Sequence, residues 1–156
     1  MAEASEKSPK EQENTQKGKY LTFMLGQEVY AIEIKYVMEI IGLLPITVVP
    51  KTPVYVKGII NLRGKIIPVI DVRLKFKKPP LEYDDRTCII VIEVESIIVG
   101  LIVDSIKEVL TIADEDIDPP MTISETIENK YIKGIGKVEH DVKLILSCEK
   151  LTESEE

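Results

Sequence analysis

A chain of 156 residues, 44% of them hydrophobic, has enough apolar material for one domain, or two very small ones, with a real core. Its 27 Asp and Glu outnumber 20 Lys and Arg, and the net charge of −7 argues against a nucleic-acid surface, which needs a basic face. No apolar run approaches the ~20 residues of a membrane-spanning helix, since the richest stretch, 89–103, is interrupted by Glu93 and Glu95.

Residues 1–18 are polar, mixed in charge and without periodicity. They offer too little apolar surface to offset the entropy of ordering, so a mobile tail is expected, and they lack the apolar centre of a signal peptide. From Tyr20 the character changes. Leu21, Phe23 and Leu25 alternate with Thr22 and Met24, and Gly26-Gln27 turns the chain into Val29-Tyr30-Ala31-Ile32, a β-hairpin pattern. The next stretch, Glu33 to Ile41, fits two templates. Ile34, Val37 and Ile41 have helical spacing, whereas Val37, Glu39 and Ile41 share one face of a strand, so a helical turn passing into a strand is expected. Pro45, Pro50 and Pro53 then mark a loop-rich link.

Tyr55 to Val72 holds two runs rich in Ile and Val around Asn61-Leu62-Arg63-Gly64. Gly64 tolerates positive φ and Asn61 bonds local backbone, so a tight hairpin tip is expected with Arg63 held out in solvent. Asp71 is placed to cap a short helical turn over Val72-Arg73-Leu74-Lys75-Phe76. A charged, proline-containing break follows at 77–85, and Cys88–Val94 with Ile97–Val103 reads as another hairpin around Glu95-Ser96. Between Glu108 and Glu128 lie Asp114, Glu115, Asp116, Asp118 and Glu125 with no Lys or Arg, the composition of a solvated loop. Tyr131 to Leu146 is the last strand-rich unit. Ser147 then opens a short C-terminal helix, and 152–156 form an acidic tail. Cys88 and Cys148 lie in or beside apolar runs without metal-ligand spacing, as buried thiols of a reducing, cytoplasmic compartment do.

The chain repeats itself. Residues 30–40 match 99–109 in the frame apolar, small, apolar, x, apolar, x, x, apolar, x, Glu, apolar. Tyr55-Val56-Lys57-Gly58-Ile59 matches Tyr131-Ile132-Lys133-Gly134-Ile135 in the same order, and Asp71 corresponds to Ser147, both good N-cap types. Two blocks in register indicate an internal duplication into halves of about 19–84 and 85–151. Each half alone is too small to bury much, and its short strands suit small antiparallel barrels, intertwined or packed together with a groove between them. The halves differ at one tip, where Asn61-Leu62-Arg63-Gly64 is replaced by Gly136-Lys137-Val138-Glu139-His140-Asp141, which favours a task specific to Arg63.

Nothing marks out catalysis. His140 is the sole histidine and sits in a polar turn with no nucleophile indicated beside it. The Lys57-Gly58 and Lys133-Gly134 pairs lie in strand patterns rather than opening a phosphate-binding helix. Binding is better supported, because the planar fork of Arg63 suits a carboxylate. A nucleic-acid module is the alternative, since small barrels bind single strands, but the net charge disfavours it.

Residues 20–26 with Tyr30-Ala31-Ile32, then Val37-Met38-Glu39-Ile40, then Lys57-Gly58-Ile59-Ile60-Asn61-Leu62-Arg63-Gly64 with Pro68-Val69-Ile70-Asp71, resemble the CheW-like domain family of bacterial chemotaxis coupling proteins. Gly100-Leu101-Ile102-Val103-Asp104, Tyr131-Ile132-Lys133-Gly134-Ile135 and Leu144-Ile145-Leu146 extend the resemblance over about 18–151. It implies a mainly β fold of two SH3-like five-stranded barrels, with short helices, across a domain at 19–151. It implies no catalysis, no cofactor and no metal. The partners it implies are the cytoplasmic tip of a chemoreceptor and the regulatory domain of the histidine kinase CheA, with the membrane reached only through receptors. Position by position, the family's receptor contacts fall on Val37, Glu39, Gly58 and Arg63, and Ile123 is a candidate kinase contact. Fused kinase or receiver parts are not present in this sequence, which favours the stand-alone adaptor.

Overall fold

Turn chemistry divides the chain into short strands. The computed structural model describes residues 17–120 and 130–153. Most of the expected tail (1–16), Glu125, the kinase-contact candidate Ile123 and residues 154–156 lie outside the described residues.

The strands are β1 (Lys19–Leu25), β2 (Glu28–Glu33), β3 (Val37–Gly42), β4 (Val56–Leu62), β5 (Lys65–Asp71), β6 (Cys88–Val94), β7 (Ile97–Val103), β8 (Ser105–Thr111), β9 (Ile117–Asp118), β10 (Ile132–Val138) and β11 (Asp141–Leu146). Two short helices follow hairpins, α1 (Val72–Lys75) after β5 and α2 (Cys148–Thr152) after β11. The ambiguous 33–41 stretch resolves as a single helical turn, Ile34–Tyr36, running into β3. At the β4–β5 tip, Arg63 (φ 52°) and Gly64 (φ 88°) are both left-handed, the conformation of a type I′ turn, and Gly64 N–H donates to Asn61 Oδ1 at 2.8 Å. Asp71 caps α1 by accepting from Leu74 N–H, and Ser147 caps α2 by accepting from Lys150 N–H.

One expectation is corrected. The acidic stretch does not begin as a solvated loop at Glu108, because β8 continues to Thr111 along β1. Backbone chemistry holds it there: Thr22 Oγ1 donates to the Glu108 carbonyl at 2.7 Å and accepts from the Glu108 N–H at 3.1 Å. An exposed edge strand carries acidic side chains as readily as a loop does.

The fold is mainly β. A six-stranded sheet has the order β8-β1-β2-β11-β10-β9, and a five-stranded sheet the order β3-β6-β7-β5-β4. The duplication predicted from sequence is visible as a repeated topology. If β6, β7, β3, β5 and β4 replace β1, β2, β8, β11 and β10, the first order becomes the second, and an isolated Thr47–Ile59 bridge takes the place of β9. Registers agree as well. The parallel pair Ile145–Ala31 matches Val69–Gly100, and the bulge between Ile132 and Gly134 matches that between Val56 and Gly58.

The halves are interlaced. Residues 19–84 supply β1 and β2 to the six-stranded sheet but β3, β4 and β5 to the other. Residues 85–151 supply β6 and β7 to the five-stranded sheet and their remaining strands to the six-stranded one. Each sheet is open by hydrogen bonding among the described residues, yet rolled: Ile41 of β3 and Ile60 of β4, from opposite edges, share one apolar cluster.

Three apolar layers result. A central core between the sheets takes Leu21, Phe23, Leu25, Tyr30, Ile32, Ile90, Ile92 and Leu101. Smaller cores fill each roll, one around Ile60, Ile67, Ile89 and Val91, the other around Tyr20, Ala31, Ile112 and Ile145. Strand β6 is apolar on both faces for this reason: Ile90 and Ile92 face the central core while Ile89 and Val91 fill the roll.

Candidate functional site

The site is built on β3, an edge strand. Its register against β6 slips between Val37 and Glu39, leaving Met38 on a bulge. Val37 packs against the central core and is half-buried, as is Glu39. Met38 and Ile40 point outward, 49% and 42% exposed. Beside them a cleft of about 640 Å³ is lined by Lys35, Tyr36, Val37, Met38, Glu93 and Glu95. Its apolar part is Val37 and Met38, and its charged part is Lys35 and the two glutamates. Burial, then the nearby charge of Glu33, pushes the Tyr36 phenol up to about 12, so it stays a neutral hydroxyl at physiological pH.

Arg63 reaches this strand from the opposite edge of the sheet. The turn holds its backbone at positive φ, and Nη2 donates to Glu39 Oε2 as an ion pair. A hairpin tip on β4–β5 thereby touches β3 across the open seam of the rolled sheet. The Arg63 side chain remains 69% exposed. A guanidinium has five N–H donors, so the fork keeps donors for a further acceptor.

Gly58 is placed differently. It is buried, with φ 145°, and a Cβ built on it would stand 2.1 Å from the Thr47 carbonyl oxygen. Thr47 and Ile59 exchange two backbone hydrogen bonds of 2.9 Å next to it. The residue therefore permits a close backbone approach and presents no surface of its own. Of the residues singled out from sequence, Glu39 and Arg63 meet. The bulge at Met38 puts Val37, partner of Ile92, on the central-core face and so separates it from the face shared by Glu39 and Ile41, contrary to the one-face expectation. Gly58 lies beneath the Ile46-Thr47 segment.

Sequence reasoning missed the direct Glu39–Arg63 pairing and the contribution of Met38, Ile40, Tyr36, Glu93 and Glu95. A signal existed for Met38 and Ile40, since strand alternation places both opposite Glu39. In the second half the equivalent positions hold Ile106, Glu108, Gly134 and Glu139, so the clasp has no counterpart there: a glutamate stands where Arg63 does.

Elsewhere, Arg73 of α1 donates through Nε and Nη2 to Asp104, which also accepts from Gly26 N–H. This pair ties α1 to the β7–β8 junction and the β1–β2 turn. It is structural, being less than one-fifth exposed on both sides. No group of His, Cys, Asp and Glu among the described residues is arranged to hold a metal ion, and no described helix is long and apolar enough to cross a membrane.

Comparison with known proteins agrees with this architecture. The model of the CheW-like domain matches residues 19–156. The chemotaxis protein CheW of Klebsiella aerogenes is 38% identical over 137 residues, covering 88% of this chain and 82% of the relative. That of Helicobacter pylori is 36% identical over 143 residues, covering 91% and 86%. The crystal structure of the scaffolding protein TtCheW from Thermoanaerobacter tengcongensis superposes with a TM-score of 0.78 at 35% identity, over 83% of this chain and 88% of that one. With fold, duplicated register and sequence in agreement, the chain belongs to the CheW-like domain family, whose members are chemotaxis scaffolds rather than enzymes.

Proposed function

We propose that this protein is a cytoplasmic adaptor that couples the helical tip of a chemoreceptor to the regulatory domain of the histidine kinase CheA. The receptor surface comprises Val37, Glu39 and Arg63, with Gly58 acting indirectly by holding the β4–β5 hairpin in place. The observation that carries the reading is the exposed Arg63–Glu39 clasp on edge strand β3, the strand whose Val37 and Met38 also line a surface cleft.

That arrangement suits an amphipathic helix pair. An apolar seam residue packs on Val37 and Met38, and an acidic residue one turn away takes the free donors of Arg63. Because an exposed ion pair contributes at most about 1 kcal/mol, exchanging Glu39 for a receptor carboxylate costs the fold little. The kinase takes a separate surface, with Ile123 as a proposed contact. Both partners are then held together, and receptor state alters kinase control through a coupling of about 1–3 kcal/mol.

The test is co-purification of the Arg63→Glu variant with a receptor signalling fragment and with the kinase regulatory domain. Receptor retention should fall about tenfold or more while kinase retention, circular dichroism and melting stay at wild-type values. Unchanged receptor retention removes Arg63 from the site. Competition between receptor and kinase for one patch overturns the adaptor reading.

A further inference from the structure

The two rolled sheets correspond position by position, but their interiors diverge at one level. In the five-stranded sheet Ile60 and Ile67 are direct partners across β4 and β5, both buried in the roll. The matching partners across β10 and β11 are Gly136 and Lys143. Two isoleucines have been replaced by a hydrogen atom and a long cationic stem. Ile112 fills the space over Gly136, its Cδ1 2.9 Å from where a Cβ would stand, and a cavity of about 580 Å³ opens beside Lys143, lined also by Lys107, Glu108, Val138, Glu139 and Asp141.

Lys143 is the unusual member. Its side chain is only 5% exposed, and its acceptor is Asp141 Oδ2 at 3.5 Å, beyond the range of a good N–H···O bond. Asp141 itself is 74% exposed. An ammonium carries three donors, and among the described residues Asp141 is the acceptor seen for this buried charge, so it retains capacity for a further acceptor. The rim is acidic on balance, with Glu108, Glu139 and Asp141 against Lys107. Glu108 and Glu139 are exposed carboxylates, and Glu139 occupies the place of Arg63, so no arginine neutralises Glu108 as one does Glu39.

We propose that this cavity is a binding site for a small zwitterionic carboxylate. The carboxylate enters and accepts from Lys143, while a cationic group a few bonds away rests between Glu108 and Glu139. The volume is within the range of small-molecule sites. A dianion such as phosphate satisfies Lys143 but meets three rim carboxylates against the single ammonium of Lys107, so the geometry selects against it. This site is distant in sequence from the receptor surface and does not depend on it.

The experiment is an NMR titration of the full chain, following the Lys143 side-chain signals and the Gly136 and His140 amides, with 4-aminobutyrate, acetate and inorganic phosphate added separately. Expected is a saturable shift with 4-aminobutyrate at about tenfold lower concentration than with acetate, and none with phosphate. Lys143→Met keeps the stem, removes the charge and abolishes the saturation, whereas Lys107→Met at the exposed rim keeps it. Linear, non-saturating shifts overturn the proposal, as does saturation that persists in Lys143→Met. Tighter saturation by phosphate than by 4-aminobutyrate refutes the zwitterion class. If Lys143→Met does not fold, the wild-type titration with the three probes still decides.

Discussion

Replacing Gly58 by alanine separates a structural role from a contact role. The added methyl would have to occupy space 2.1 Å from the Thr47 oxygen and 2.9 Å from Ile46 Cγ2, at a backbone φ of 145°. An L-residue held at positive φ costs about 1–2 kcal/mol. Relief of the clash requires moving the Ile46-Thr47 segment, which breaks the two 2.9 Å bonds between Thr47 and Ile59. At about 0.5–1.5 kcal/mol each, those bonds bring the expected loss to about 2–5 kcal/mol. Gly64 is the control. It also has positive φ, 88°, but nothing lies within 4 Å of a Cβ there, so Gly64→Ala should cost only about 1 kcal/mol. Urea unfolding checks both, reading a lower midpoint at constant slope. Equal losses at the two glycines would refute the close-approach argument. If Gly58→Ala instead folds like wild type and loses receptor binding, Gly58 is a direct contact and the burial argument fails.

Three further outcomes follow from the same geometry. Asp104→Ala should destabilise by about 2–3 kcal/mol in denaturant unfolding, because it strands the Arg73 guanidinium, and Arg73→Met in that background should recover part of the loss. Asp71→Ala removes both a helix cap and the acceptor of the 2.7 Å Tyr83 hydroxyl bond, whereas Ser147→Ala removes only a cap, so their losses should be about 2 and about 1 kcal/mol. Adding Tyr83→Phe to Asp71→Ala should then cost little more. Burial pushes the Cys148 thiol up to about 12 from an ordinary 9.0. The unfolded thiol loses its proton above that lower value and the folded one does not. Stability is therefore full below pH 9 and declines as pH rises towards 12, by up to ~1.4 kcal/mol per unit. Cys148→Ala should flatten the decline between pH 9 and 10 in pH-dependent melting.

Local structure was legible where turn chemistry is strict. Asn61 and Gly64 specified the hairpin, Asp71 and Ser147 the caps, and the 30–40 and 99–109 frames the duplication. The sequence left open whether the halves are interlaced or merely packed, because β3 and β8 carry the same alternation whichever sheet receives them. Pairing is decided by tertiary contacts that a linear pattern does not encode. The Arg63–Glu39 pairing was hidden for a related reason, since the two residues meet only when the sheet rolls. Gly58 was open to a better reading: a glycine inside a strand pattern signals a bulge or a close backbone approach. The acidic stretch misled because composition reports solvent exposure, and an edge strand is exposed.

The exchange of strands between sheets has a consequence for biosynthesis. When a ribosome has made residues 19–84, the nascent chain holds β1 and β2 without the neighbours β8 and β11, and β3, β4 and β5 without β6 and β7. Neither sheet can be completed in order of synthesis, so sticky strand edges wait for distant sequence, the situation that slows maturation and invites chaperones. By the same logic, a cut between Pro80 and Asp85 should leave two fragments that fold only when mixed, an outcome that circular dichroism of each fragment alone and of the mixture checks.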